Sequence, residues 1–454
     1  MLLFDNISNT ESNQLNIGQK FFAAIGSIGL LIITLSWLKV KAVISTPMLV
    51  VSVLCLIVGV LGYAFSTYRH HPEGIKNNNV FFNSLTNRGL WAWVLGIIIT
   101  GFYILLYFFA GWLGFSESGN TGLVALFDPL SFALKGKAAS QWFVYGTLYT
   151  IAIVSFGVKF ILKYRHNKYQ IFRTVSVMFF QLFFAFLIPE LLEGLNSDKA
   201  YFAKDIKNMW PLNYYFFEDW HLNAMLGGGN LGMFFLVLGI FMILIGSPIL
   251  TYFYGKRWYC SWVCGCGGLA ETAGDPFRHL SDKSLTAWRF ERWIIYSVLI
   301  FILLTTALVL YTYFTGNSNI LFLNSYNLRS WYGFFIGAIF SGVIGVGFYP
   351  LLGSRVWCRF GCPMAAILGL QQRFFSRFRI TTNGDQCISC GNCSTYCEMG
   401  IDVRWYAQRQ QNIVRASCVG CGVCAAVCPR GVLKLENGPI NIHRLNDPDA
   451  KVLD

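Results

Sequence analysis

Eight cysteines between Cys387 and Cys428 carry the clearest chemistry in the chain. They read Cys387-x-x-Cys390-x-x-Cys393-x-x-x-Cys397, then Cys418-x-x-Cys421-x-x-Cys424-x-x-x-Cys428-Pro429. Two-residue gaps let one tight loop present three thiolates to three corners of a cubane, while the fourth cysteine of each run ligates the other cluster. The spacing predicts one [4Fe–4S] cluster on Cys387, Cys390, Cys393 and Cys428. It predicts a second on Cys418, Cys421, Cys424 and Cys397. Gly391, Gly420 and Gly422 would relieve backbone crowding beside the sulfurs. Pro429 ends its turn without an N–H to leave unpaired. Structural zinc also uses C-x-x-C pairs, but a four-ligand zinc site leaves the repeated third cysteine without a role. One departure stands out: Cys397 is followed by Glu398, where Cys428 is followed by proline. The 20 residues from Glu398 to Ser417 read as a short helix, an insertion in preference to a docking surface.

A second cysteine pattern occurs twice. Gly255-Lys-Arg-Trp-Tyr-Cys260-Ser-Trp-Val-Cys264 and Gly353-Ser-Arg-Val-Trp-Cys358-Arg-Phe-Gly-Cys362 share the form G-x-R-x-aromatic-C-x-x-x-C, 98 residues apart. Arginine beside a cysteine favours thiolate. If Cys260, Cys264, Cys358 and Cys362 meet, three roles are open to them: ligating a metal or cluster, forming redox-active dithiols, or packing. Cys266 has no counterpart in the second loop and reads as a spare ligand. Cys55, mid-helix, reads as a small core residue.

The elements that must position these cysteines are apolar. Hydrophobic residues make up 55% of the chain and charged residues 13%, too few charges to cover a soluble surface of this length. The 41 Phe and 14 Trp suit a lipid-facing surface with aromatic belts. Eight segments reach the length of a bilayer span, near 21–38, 42–65, 90–115, 142–162, 172–192, 231–254, 293–314 and 331–353. The first two are separated by Lys39-Val40-Lys41 alone, as a tight hairpin or a single interfacial feature. The net charge of +13 follows the positive-inside rule in place of a nucleic-acid surface. Loops after the second, fourth and sixth spans hold 13 basic residues, among them Arg88, Lys163, Arg173, Arg257 and Arg278; the alternate loops hold six. Both termini are then expected in the cytoplasm, with Lys39 and Lys41 the exception. No cleavable signal peptide is expected at the polar N-terminus. Thirteen of the 14 cysteines fall after residue 259, and clustered C-x-x-C runs in such a chain point to metal ligation over disulfides.

The expected architecture is an all-α polytopic membrane domain (1–353), a second cysteine loop and connector (354–380), a C-terminal α+β two-cluster ferredoxin domain (381–435) and a tail (436–454). Glu190 and Glu193 flank the outer end of the fifth span beside Pro189. As ionisable groups at membrane depth they are candidates for quinone chemistry. Glu218, Asp219 and His221 are weaker candidates of the same kind.

The two G-x-R-x-aromatic-C-x-x-x-C loops on a polytopic domain, followed by the double ferredoxin run, resemble the NosR/NapH family of membrane iron–sulfur proteins. The cytochrome oxidase accessory protein CcoG is a relative with similar ferredoxin motifs. The resemblance covers about 254–429. The first loop departs from it, with Gly265 and Cys266 where the family has proline, and no loop is long enough for the flavin-bearing domain of NosR. The resemblance implies electron transfer between the quinone pool and a respiratory partner protein, as a component of a quinol-linked oxidoreductase in the inner membrane. It also implies an alternative, a maturation factor delivering metal or electrons to a respiratory metalloenzyme.

Overall fold

The structure is a computed structural model and describes residues 15–69, 88–195, 216–320 and 323–438. Lys76, Lys199, Lys204 and Lys207, counted above in the loop charges, lie outside the described residues. Among the described residues, eight helices are long and apolar enough to cross a membrane: α1 Ile17–Trp37, α2 Thr46–Tyr68, α3 Leu90–Phe108, α4 Gln141–Lys163, α5 Lys168–Leu195, α6 Gly229–Tyr254, α7 Leu285–Thr315 and α8 Ser325–Gly347. Their side chains point mainly outward, as lipid requires. Leu30, Ile97, Phe234 and Leu304 are exposed apolar residues of four different helices.

The first two spans form a hairpin, closed by the short turn Lys41–Val43. A capping box at Asn16 and Gln19 starts α1, with the Asn16 side chain accepting from the Gln19 N–H at 2.6 Å. Small residues bring the two helices together. Ser52 Oγ donates to the Gly29 carbonyl at 3.2 Å, and Gly59 lies against Gly26 where no side chain would fit.

Several spans are not regular α-helix. α5 widens to a π-helix over Phe180–Leu187, and α6 over Met242–Gly246. Each widened turn ends just before a proline, Pro189 or Pro248. Proline has no N–H and its ring crowds the carbonyl four residues back, so the ladder slips to a wider turn there. In α5 the slip matters for the site, because Gln181 then abuts Gly265 in the first cysteine loop.

The C-terminal domain is built around an antiparallel pair, β1 Arg379–Thr382 with β2 Leu433–Glu436, joining its start to its end. Each three-cysteine loop runs into a single helical turn, Asn392–Thr395 or Val423–Ala426. Phe378, Ile380, Ile401, Val403, Ile413 and Leu433 fill the interior. The stretch after Cys397 does contain the expected short helix, Val403–Gln408, capped by Asp402.

This domain does not hang from a tether. Tyr169 Oη donates to the Gly420 carbonyl at 2.9 Å, Gln170 to the Cys421 carbonyl at 2.9 Å, Ser261 to Val419 at 2.9 Å and Gln372 to Cys418 at 2.8 Å. These residues thus satisfy the four successive carbonyls of Cys418 to Cys421, groups that would be costly to bury unpaired. Residues 354–380, expected as a connector, contribute the helix Pro363–Phe375, whose Ala366 packs on Val298, Leu299 and Ile302 of α7.

Candidate iron–sulfur centres

The ferredoxin domain has two small cavities, and each is walled by four cysteines. One is lined by Cys387, Cys390, Cys393 and Cys428 together with Ile388, Arg404 and Arg430. The other is lined by Cys418, Cys421, Cys424 and Cys397 together with Glu398, Met399 and Ile413. The fourth cysteine of each run therefore faces the other run's cavity. Gly391, Gly420 and Gly422 all adopt the left-handed conformation, with φ of 83°, 65° and 72°, which lets the backbone curl around the sulfurs.

The two cavities differ in surroundings. Cys390 and Ile388 are exposed, so the first cavity opens at the surface; Cys418 and Cys424 are buried against the membrane-side loops. We refer to them as outer and inner. Burial pushes the Cys393 thiol up to about 12 and the Cys418 and Cys421 thiols up to about 11. A metal or cluster entering these sites must displace protons, as thiolate ligation requires. Four thiols around a cavity, few competing hydrogen-bond donors and a dry wall fit a [4Fe–4S] cluster in each.

The paired loops after α6 and α8 are built alike. Gly255 and Gly353 open them with φ of 65° and 95°. The Cys264 N–H donates to the Tyr259 carbonyl at 2.8 Å, and the Cys362 N–H to the Trp357 carbonyl at 3.0 Å, the same six-residue turn in both. Cys264 and Cys362 each cap the helix that follows, Gly265–Glu271 and Pro363–Phe375. The loops meet. Cys362 has Cys358, Cys260 and Cys264 as electrostatic neighbours, and Cys266 has Cys264, Cys358 and Cys362. The structure thus brings together the four cysteines singled out by the repeat, and adds Cys266 to them. Cys260 and Cys358 belong to the same buried cluster as Cys393, Cys418 and Cys424, so the thiol chamber adjoins the ferredoxin interior.

Arginine beside a cysteine was expected to favour thiolate, and here the structure corrects the sequence. Burial pushes Cys260 up to about 12 and raises Cys358 and Cys362, overriding Arg355, whose Nη1 lies 3.6 Å from Cys358 Sγ. Only Cys264 among the four is lowered, to about 6. The Cys266 thiol donates to it, and the Gly267 and Cys266 N–H groups add to that. Desolvation is the larger effect wherever a thiol lacks several donors of its own.

Between chamber and inner cavity lies a dense set of buried ions. Arg355 pairs with Glu271 at 2.5 Å and Glu398 at 3.0 Å; Arg278 pairs with Asp275 at 2.9 Å and Glu398 at 3.5 Å; Lys163 pairs with Asp275 at 2.6 Å. Arg173 pairs with Glu271 and stacks on Phe160. Removing one partner of such a buried pair costs about 3–5 kcal/mol. The stretch after Cys397, expected as a mere insertion, therefore docks through its first residue.

The remaining candidates are ion-paired or packed. Lys135 Nζ lies 2.8 Å from Glu190 and 3.7 Å from Glu193, tying the helix Asp128–Lys135 to the C-terminal end of α5. Glu218 pairs with Arg329 at 2.6 Å, Asp219 accepts from Tyr326, and His221 Nδ1 contacts the Phe216 carbonyl at 2.6 Å. Sequence reasoning missed Tyr103, Tyr145 and Tyr149, whose rings meet in succession, edge-to-face at 5.8 Å and tilted at 5.3 Å, and which all neighbour Cys266. Tyr145 and Tyr149 stand four apart on α4, a spacing that reads equally well as ordinary aromatic packing, and Tyr103 comes from α3.

Comparison with known proteins agrees with this geometry. A 4Fe-4S dicluster domain family matches residues 379–429. A 4Fe-4S binding domain family matches twice, at 234–284 and 332–381, once on each paired loop. YccM of Escherichia coli (strain K12), whose name assigns it provisionally to electron transport, is 27% identical over 170 residues. That match covers 36% of this chain and 47% of YccM, so the chain spans about half the length of this relative. No solved structure matches the chain. The cysteine-walled cavities, the eight apolar helices and these matches together give the chain a 4Fe-4S dicluster ferredoxin domain following helices long and apolar enough to cross a membrane, and make it similar over part of its length to a protein named for electron transport.

Proposed function

We propose that the protein passes electrons between the quinone pool and a respiratory partner through two [4Fe–4S] clusters, on the cytoplasmic side of the inner membrane, as a NosR/NapH-like protein. The observation that supports this most strongly is the pair of crossed four-cysteine cavities, the inner one fused to the paired thiol loops and the outer one open at the surface. The clusters would supply one-electron storage, with potentials set by charge, hydrogen bonds and exposure. The chain's own part is to hold them, to keep water from the inner one, and to place it beside Cys260, Cys264, Cys358 and Cys362.

The quinone in this reading would bind between the paired loops and the C-terminal end of α5. Gln181 abuts Gly265, and Glu190 stands about 14 Å further along the helix. Tyr103, Tyr145 and Tyr149 neighbour Cys266 at the loop end, and Glu190 and Glu193, paired with Lys135, are the carboxylates proposed to take the protons at the other end. The second reading, a maturation factor for a respiratory metalloenzyme, is favoured by Cys266. A fifth thiol exceeds what one four-ligand site uses and suits a metal ion in passage.

Purified anaerobically, the protein is expected to hold about eight iron and eight sulfide per chain, from two four-cysteine sites. Metal analysis tests this, and stoichiometric zinc with little iron would sink it. The orientation has its own test. Arg88, Lys163, Arg173 and Arg257 all lie at the ferredoxin end, while Lys135 and Arg329 lie at the other. A reporter fused after Asp454 should read cytoplasmic and one inserted near Asn317 periplasmic. A protease-accessible tail in intact spheroplasts reverses the assignment.

A further inference from the structure

Glu398 follows Cys397 directly, where the companion run has a proline. Its side chain is wholly buried, with Oε1 3.0 Å from Arg355 Nε and Oε2 3.5 Å from Arg278 Nη2. Arg355 reaches in three other directions. Its Nη1 lies 3.3 Å from the Cys260 carbonyl and 3.6 Å from Cys358 Sγ, and its Nη2 lies 2.5 Å from Glu271. The ligand atoms of Glu271, Glu398 and Cys421 lie within 4.8 Å of one another. One guanidinium thus touches a thiol of the chamber and a carboxylate beside a cysteine of the inner cavity. Both carboxylates are engaged by arginine, so the trio is not a metal site.

The charge in this region does not balance by itself. Lys163, Arg173, Arg278 and Arg355 are buried cations, and Glu271, Asp275 and Glu398 are the buried carboxylates paired with them. Four cations against three anions leave an excess of positive charge in this set, which is expensive away from water. A [4Fe–4S] cluster with four thiolates is a dianion when oxidised and a trianion when reduced. The inner cavity is where that anion would sit, and Cys421 is the ligand nearest the surplus.

We propose that Glu398 is a positioning residue that holds Arg355 and Arg278 against the inner cluster site, and that this buried ion set fixes the inner cluster's potential independently of the outer one. The inference rests on the two-cluster reading above. Cation near a cluster favours the reduced, more negative form; carboxylate opposes it. The outer cavity has only the exposed Arg404 and Arg430 at its rim, where solvent screens them.

The test is a redox titration of the anaerobically purified full chain, followed by cluster-resolved paramagnetic resonance. Glu398→Gln removes a negative charge and keeps the shape; the inner cluster should become easier to reduce by at least tenfold, about 59 mV for one electron. Arg355→Gln should shift it as far in the opposite direction. The outer cluster should stay within about threefold in both. Equal shifts of both clusters, or no shift in a fully loaded protein, overturn the inference and leave the two-cluster reading standing. A wild-type chain without iron sinks both. If the glutamine variant does not load its inner site, Glu398→Asp, which retains the charge, must restore loading at a potential near wild type. Failure of the aspartate variant to do so also overturns the inference, because charge would not then be what Glu398 supplies.

Discussion

Cys428→Ala is expected to destroy the cluster of Cys387, Cys390 and Cys393 and to spare the one next to it in sequence. Iron should fall from about eight to about four per chain. The reason is spatial. Cys428 closes the outer cavity, and it is the first electrostatic neighbour of Cys393. Its sequence neighbours Cys418, Cys421 and Cys424 face the inner cavity, and their loop is held by Tyr169, Gln170, Ser261 and Gln372. Those four hydrogen bonds come from the membrane side and do not depend on the outer cluster. The inner site should therefore keep its geometry when the outer one empties. Cys397→Ala should give the mirror result, losing the inner cluster and keeping the outer. Because Cys397 adjoins Glu398, that variant should also loosen the ion set around Arg355. Cluster-resolved paramagnetic resonance separates the outcomes. Loss of the Cys418 to Cys424 cluster on replacing Cys428 would show that each run ligates its own cluster.

What the sequence discloses here is what is local. An apolar run long enough to span a bilayer is a statement about consecutive residues, so the eight expected helices are all present, with ends shifted by up to eight residues. The last span illustrates the shift. It begins at Ser325, before the apolar stretch, because Asn324 caps it, and it ends at Gly347, because Pro350 cannot continue the ladder. Cysteine spacing is local too, and it identified which thiols share a loop. The charges were harder. Glu398 looked like a lapse from proline, yet its partners Arg278 and Arg355 are over 40 residues away and come from two different loops. No pattern in the chain announces such a pair. The thiol chemistry of Cys260 and Cys358 was misjudged for the same reason: sequence shows the arginine nearby but not the desolvation that outweighs it. Lys135 is another case. It was counted as loop charge, and the structure buries it between Glu190 and Glu193.

Single serine replacements at Cys260, Cys264, Cys358 and Cys362 are expected to cost nearly as much electron transfer as the quadruple replacement, on the order of a hundredfold or more. Residues that act as one unit lose their function together, so their effects do not add. The structure supplies the reasons to treat them so. The two loops share an opening glycine, a six-residue turn and a capping cysteine, and their thiols converge, with Cys260 and Cys358 buried and Cys264 and Cys362 half-buried. That chamber adjoins the inner cavity through Arg355, which touches both Cys358 and Glu398. An electron from a quinol on the membrane side would meet these thiols before it met the ferredoxin domain. The two [4Fe–4S] clusters should survive in every variant, since their eight cysteines lie elsewhere. Iron content and cluster spectra then serve as the control for folding. The readout is the rate at which quinol reduces the ferredoxin clusters. If the four thiols merely pack, each loss should be small, and the quadruple variant should show their sum, because buried thiols behave as small apolar groups. Cys266→Ser separates the two functional readings further. A chamber that only relays electrons through four ligands should lose little, whereas one that hands on a metal ion should lose metal affinity with quinol-dependent reduction intact. Wild-type reduction rates in the quadruple variant would remove the paired loops from the electron path altogether.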